Sequence, residues 1–191
     1  GAGMDSPFMA AMADGLAEQG WQVLRFEFPY MQRQRSSGKK RPPDKAEVLL
    51  DSFRDQVRAL AQGKPLVIGG KSMGGRIASL LADALFDEQR IQACLCLGYP
   101  FHPLGKPDRL RTEHLAELRT PTLIVQGERD AMGRKDEVIT YSLSEQLELA
   151  WIPDGDHSFK PRKSSGHSEA SNWALAIEAM DRFLRQQHPA A

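Results

Sequence analysis

Gly70-Lys71-Ser72-Met73-Gly74 is the stretch of this chain with the clearest capacity for chemistry. The pattern G-x-S-x-G suits a hydroxyl that must stand on a sharp turn between a strand and a helix. The pentapeptide alone is a weak signal. Its setting strengthens it: the apolar run Leu66-Val67-Ile68 precedes it, and Ile77, Leu80, Leu81 and Ala84 follow with helical spacing. A serine on such a turn has strained backbone, and bulky neighbours would clash there. Gly70 and Gly74 are expected to remove those clashes, with Gly69 and Gly75 widening the clearance. The N–H of Met73 would open the helix, where the dipole favours negative charge, and would be the first donor to a tetrahedral oxyanion. A tight connection without chemistry could carry the same glycines. A phosphate-binding loop would share Gly70-Lys71-Ser72, but it requires glycine at 65, where Pro65 stands.

A serine hydroxyl is a poor nucleophile without a base. In a strand–turn–helix setting the partners are expected later in the chain, in the order Ser, Asp, His. Asp130 follows the apolar run Thr122–Gln126 through Gly127-Glu128-Arg129, and His157 follows Leu147–Ile152 through Pro153-Asp154-Gly155-Asp156. Both then fall just past strand carboxyl ends, the edge at which ligands bind in open α/β sheets. In this reading His157 takes the Ser72 proton and Asp130 holds the imidazole tautomer. Asp130 could instead be a surface turn residue. Asp154 and Asp156 sit beside the histidine and read as loop or capping residues. His102, His114, His167 and His188 have no comparable placement and read as structural or solvated. Lys71 could fix an anionic group; the preferred expectation is that it pairs with a local carboxylate.

The elements that must position these residues can be read in outline. Ser6-Pro7 opens a helix whose apolar side is Phe8, Met12, Ala13 and Leu16, closed by Gly20. Val23–Phe28 reads as a strand ended by Pro29, and residues 31–43, with Arg33, Arg35, Lys39, Lys40 and Arg41, as a basic loop. Asp44 is expected to cap a helix facing inward through Leu50, Phe53, Val57 and Leu60. Further strands are expected at Leu66–Ile68, Ile91–Leu97, Thr122–Gln126 and Leu147–Ile152. Helices are expected after Ser72, near Leu110–Leu118, near Lys135–Leu143, and at the end through Trp173, Ile177, Met180 and Leu184. Helix and strand alternate, and the strands are short and continuously apolar. That predicts an α/β fold, a mainly parallel sheet with helices on both faces, in one domain over residues 1–191.

Bulk properties narrow the partners. Lys plus Arg is 25 and Asp plus Glu is 25, so nothing global points to nucleic acid or an anionic membrane. No apolar run approaches the length of a membrane span. Cys94 and Cys96 are expected to point to opposite faces of a strand and not to pair. Their setting fits a reducing, cytoplasmic location. No cofactor and no metal is implied.

At these residues the chain resembles the α/β-hydrolase superfamily. More narrowly, it resembles a hydrolase-like family akin to dienelactone hydrolases that includes a testis-expressed protein and a regulatory subunit of a chromatin acetyltransferase complex. The likeness is carried by Gly1–Phe8, Arg25–Met31, Gly69–Arg76, Gly98–Pro103, Gln126–Asp130 and Gly155–Lys160, which span nearly the whole chain. It implies an esterase-like serine hydrolase with the triad already argued; the alternative is a non-catalytic binding or scaffold protein of the same fold. In this fold the oxyanion loop follows a strand ending in His-Gly. Here Gly1-Ala2-Gly3 stands inside or just after that loop, so the sequence reads as shortened at its N-terminus. The backbone around Ala2, Gly3 and Met4 is then the candidate second oxyanion donor. In the usual strand order the missing strand lies between those at Val23–Phe28 and Leu66–Ile68, so these two would have to pair directly, or a partner chain fill the gap. Gly98–Pro121 leaves room for a loop and one helix, not a lid, which favours a small acyl substrate. The basic loop could draw an anionic one.

Overall fold

The computed structural model describes residues 3–60 and 63–188, and the chain divides into two units, Gly1–Lys64 and Pro65–Ala191. In the first, α1 (Pro7–Glu18) begins where the Ser6 hydroxyl accepts from the Met9 N–H at 3.4 Å. It buries Phe8, Met12, Ala13 and Leu16, as the spacing predicts. The expected strand at Val23–Phe28 does not form, so its direct pairing with the Leu66–Ile68 strand does not form either. β-propensity needs a ladder partner to act on, and here the aromatic residues find something else. Phe26 and Phe28 pack against Phe53, with ring centroids 5.0 and 6.4 Å away, while Val23 and Leu24 stay exposed.

The basic segment begins as a helix, not a loop: α2 spans Pro29–Ser37 and ends at Gly38 in the left-handed region. Only Tyr30 of this helix is buried, so no apolar period marks it in the sequence. Its charges are engaged. Arg33 pairs with Asp44, and Arg35 bonds both oxygens of Asp5 at 2.9 Å and Glu27 Oε2 at 3.1 Å. Glu27 is buried and also accepts the Met4 N–H at 3.0 Å. The Arg35 guanidinium holds its carboxyl below the usual range. Helix α3 (Ala46–Ala59) starts after Lys45 rather than Asp44, whose carboxylate takes Arg33. Its inner stripe is Leu49, Phe53 and Val57, with Leu49 in the place expected for Leu50.

The second unit carries the sheet. Strands β1 (Val67–Lys71), β2 (Ala93–Leu97), β3 (Thr122–Gly127) and β4 (Leu147–Ile152) are parallel, in the order β1-β2-β3-β4. Leu123, Ile124 and Val125 of β3 are fully buried, as a central parallel strand requires. Helix α4 (Met73–Asp87) packs on β1 and β2, and α7 (Glu169–Gln187) on β3 and β4. Between them α5 (Glu113–Ala116) and α6 (Lys135–Val138) are single turns, shorter than the sequence suggests; each buries one side chain, Leu115 or Val138. The segment between β2 and β3 holds only α5, so no large lid covers this edge among the described residues. Cys94 and Cys96 share one face of β2, against expectation, because side chains two apart on a strand point the same way. Their sulfurs lie 4.0 Å apart as free thiols. No helix of the described residues is long and apolar enough to cross a membrane.

Arg35→Ala should destabilise the chain more than Arg33→Ala does, because it leaves the buried Glu27 carboxylate without its main partner. Arg33→Ala, at the more exposed pair with Asp44, should cost below about 1 kcal/mol. Chemical denaturation of both variants measures the difference, and equal losses would contradict this ranking.

Candidate active site

Ser72 stands between β1 and α4 with φ 54° and ψ −117°, a backbone conformation that L-residues rarely adopt. Its N–H donates to Leu97 O at 2.9 Å, and its carbonyl accepts the Arg76 N–H at 3.0 Å, so strand and helix hold the turn from both sides. The close approach falls on Gly70 and Gly75. A Cβ at 70 would lie 2.4 Å from the Gly74 carbonyl carbon, and one at 75 would lie 2.7 Å from Gly70 O. A Cβ at Gly74 would meet nothing within 4 Å, so the expectation that Gly74 relieves a clash is corrected; Gly75 does so instead. Met73 is the first residue of α4, and its N–H has no acceptor within the helix. Ala2 lies outside the described residues. Gly3 belongs to the N-terminal unit, where its carbonyl accepts the Ser6 N–H at 3.1 Å. The Met4 N–H is committed to Glu27 and is not free to serve an oxyanion.

The structure brings Asp130 and His157 to Ser72. His157 Nε2 lies 2.9 Å from Ser72 Oγ, and His157 Nδ1 lies 2.7 Å from Asp130 Oδ2. An ionised carboxylate only accepts, so Nδ1 carries the hydrogen and Nε2 is left to accept from the hydroxyl. The Asp130 side chain is fully buried, whereas that of His157 is 32% exposed. Asp130 is also held by the Met132 N–H on Oδ1 at 2.9 Å and by Gln126 Nε2 on Oδ2 at 3.0 Å. Gln126 is itself buried. Its Oε1 accepts the Tyr99 N–H at 2.7 Å, and its Nε2 also faces Tyr99 O and Gly133 O at 3.2 and 3.1 Å. The sequence reading passes over Gln126 as a strand end. The available signal is a glutamine in a run otherwise built for full burial, which must find partners.

The loop that carries His157 is tied down residue by residue. Asp156 Oδ1 accepts the N–H groups of Ser158 and Lys160 at 2.8 and 3.0 Å. Asp154 pairs with Arg129 at 3.0 Å, and Arg162, through side chain and backbone N–H, holds its carboxyl down to about 2. Both aspartates are therefore loop clamps, as expected. Asn172 of α7 donates to Pro153 O and Phe159 O at 2.9 and 2.8 Å. It is buried where the sequence reading placed only Trp173, whose indole N–H donates to Ser158 O at 3.1 Å. A Cβ at Gly127 would lie 2.2 Å from Asp156 O, so only glycine lets the end of β3 come this close to the loop.

Lys71 Nζ donates to the carbonyl of His157. Burial pushes its pKa down to about 8, against the opposing pull of Asp130 and Asp156. His114 Nε2 contacts Ser79 Oγ at 2.9 Å, and His102 Nδ1 contacts Pro103 O at 3.0 Å; neither joins the Ser72 cluster. A surface depression bordered by Ala116, Leu118, Leu143 and Gln146 precedes β3 and β4, at the opposite edge of the sheet from Ser72. Among the described residues no group of His, Cys, Asp and Glu side chains is placed to hold a metal ion.

The model of a family described as an alpha/beta hydrolase domain matches residues 1–185. The chain is also similar to solved structures. An alpha-beta serine hydrolase homologue from Coxiella burnetii is 18% identical, with 95% of this chain and 78% of that one covered at a TM-score of 0.68. An esterase domain from a Rhodothermus marinus protein is 16% identical, with 94% and 79% covered at 0.62. Est1E from Butyrivibrio proteoclasticus with ferulic acid bound is 18% identical, with 97% and 85% covered at 0.66. At these identities the likeness is one of fold.

Gln126→Leu should cost about 2–4 kcal/mol, because the Tyr99 N–H and the Asp130 carboxylate would each lose a buried partner; denaturant titration measures it, and a loss under about 0.5 kcal/mol would contradict the role given to this amide. Between pH 8 and 10.5 the unfolded chain binds a proton at Lys71 that the folded chain has released, so this group makes stability rise with pH across that window. The difference in stability between the native chain and Lys71→Met should accordingly shift in favour of the native chain as pH climbs through the window. A pH-independent difference would sink the assignment.

Proposed function

We propose that this chain, which belongs to the alpha/beta hydrolase domain family, is a serine hydrolase acting on small esters or related acyl substrates through an acyl-enzyme at Ser72. Family membership supports a hydrolase. The observation that carries the finer reading is the unbroken line from Asp130 Oδ2 to His157 Nδ1 and from His157 Nε2 to Ser72 Oγ, at 2.7 and 2.9 Å. Within the family, the stretches around Ser72, Asp130 and His157 favour a relation to dienelactone hydrolases. The two buried free thiols suit a cytoplasmic setting.

The chemistry follows from the geometry. Ser72 Oγ attacks the acyl carbon as His157 Nε2 takes its proton. Asp130 stays ionised, keeps the imidazole in the tautomer that can accept, and stabilises the imidazolium that results. The oxygen of the tetrahedral intermediate gathers negative charge beside the Met73 N–H at the start of α4. His157 then returns the proton to the departing alcohol, and water repeats the cycle on the acyl-serine. Among the described residues the segment between β2 and β3 holds only the single turn α5, which favours short, accessible acyl groups over long chains.

A fluorophosphonate probe should label the native chain at Ser72, and Ser72→Ala should abolish labelling. Ester hydrolysis should fall by at least about a thousandfold in Ser72→Ala and about ten-thousandfold in Asp130→Asn, which would present the wrong imidazole tautomer. A folded native chain that neither labels nor cleaves short acyl esters would leave the scaffold reading in possession.

A further inference from the structure

Lys71 is the last residue of β1 and directly precedes Ser72. It is half-buried, and its Nζ donates to the carbonyl of His157. The residue before the nucleophile therefore reaches over to the residue that serves as base. The neighbouring backbone makes room for this contact. A Cβ at Gly98, just past β2, would stand 2.7 Å from His157 O, 2.9 Å from Lys71 Nζ and 3.4 Å from His157 Cε1. Ammonium, carbonyl and imidazole thus face one small space, which the lack of a side chain at 98 leaves to them. The strand ends around it are fixed by the Ser72 N–H on Leu97 O and the Gly98 N–H on Val125 O, each at 2.9 Å.

A cation in such a place does more than fill volume. Burial pushes the Lys71 pKa down to about 8, while Asp130 and Asp156 pull the other way, so it is an ammonium below that pH. The ionisable groups about this space are Asp130 past β3, Asp156 and His157 on the loop, and Lys71 at the end of β1; β2 contributes Gly98. The two carboxylates favour an imidazolium, and a protonated ring cannot accept from Ser72. An ammonium facing the same ring opposes them. Its hydrogen bond goes to the backbone carbonyl, so both ring nitrogens are left to Asp130 and Ser72. An apolar side chain at 71 could fill the space, but it could neither hold the carbonyl nor offset the acids.

We infer that Lys71 is a positioning residue for the general base: its hydrogen bond fixes the loop through the His157 carbonyl, and its charge disfavours protonation of the imidazole. This rests on the serine-hydrolase reading and deepens it, by tying the nucleophile's strand to the base through the adjacent side chain.

The test follows hydrolysis of a short ester against pH, because the acid limb of kcat/KM reports the base of the free enzyme. Lys71 is charged across that limb. Removing the charge makes the imidazolium easier to form, so Lys71→Gln should move the limb up by about half a pH unit to one pH unit. In the same variant kcat should fall about threefold to tenfold while KM holds, since Lys71 acts through His157. Lys71→Arg keeps a cation and its donors and should bring the limb back toward its native place. A limb that stays put in Lys71→Gln marks a structural lysine and overturns the proposal, whatever activity is lost. Proton NMR of the His157 Hε1 resonance, assigned by its loss in His157→Gln, separates this from the fate of the hydrolase reading. Its titration should move up in Lys71→Gln and return in Lys71→Arg. If no ester is cleaved while the resonance moves in this way, the hydrolase reading falls and the role of Lys71 at His157 stands; if the resonance does not move, that role falls. Should Lys71→Gln fail to fold, the native chain answers alone: the resonance should shift a second time near pH 8 as Lys71 discharges, and a single step overturns the proposal.

Discussion

A carboxylate sealed from water must have every strong acceptor site answered, and the second unit of this protein is arranged around that demand at Asp130. Its oxygens take the Met132 N–H, the Gln126 amide and the His157 ring N–H. Remove any of these and the charge is left in a poor medium, at a cost no surface contact repays. Keep them, and the imidazole is locked in one orientation with its other nitrogen turned to Ser72. Burial of the carboxylate and exposure of the imidazole are thus one arrangement seen from two ends: Asp130 is enclosed while His157 is partly open.

The parallel sheet makes that arrangement possible by bringing the carboxyl ends of its strands to one edge. The loop closures then depend on how closely backbones can approach. Gly127 lets the end of β3 run against the His157 loop. Gly98 sits against His157 and Lys71 with φ 58°, a conformation that glycine adopts without strain. Lys71 ties β1 to the His157 carbonyl, and Asn172 and Trp173 tie α7 to the same loop from its other side. The loop that carries the histidine is therefore met by four separate stretches of chain.

Charge is handled differently in the two units. The N-terminal unit answers its arginines with acids, as in the Arg35 network with Asp5 and Glu27. In the second unit, among the described residues, the Arg76 Nε is buried without a hydrogen-bond partner. Zero net charge over the whole chain conceals both patterns, because a sum carries no information about which charges are neighbours.

Local signals by themselves determined a good deal. The turn at Ser72, the four apolar strands, the α1 stripe through Phe8 and Leu16, and the positions of Asp130 and His157 past strand ends are all legible, because short buried strands and strained glycine turns impose composition on adjacent residues. Tertiary structure decided the rest. Val23–Phe28 has strand composition but no ladder partner, so its aromatic residues went to Phe53. The polar helix α2 has no apolar period to display. Gly75 rather than Gly74 meets the crowded backbone. Gln126, Asn172 and Lys71 acquire their roles from groups that the local sequence does not reveal. Propensity is a property of neighbours in sequence, whereas the satisfaction of a buried polar group depends on neighbours in space.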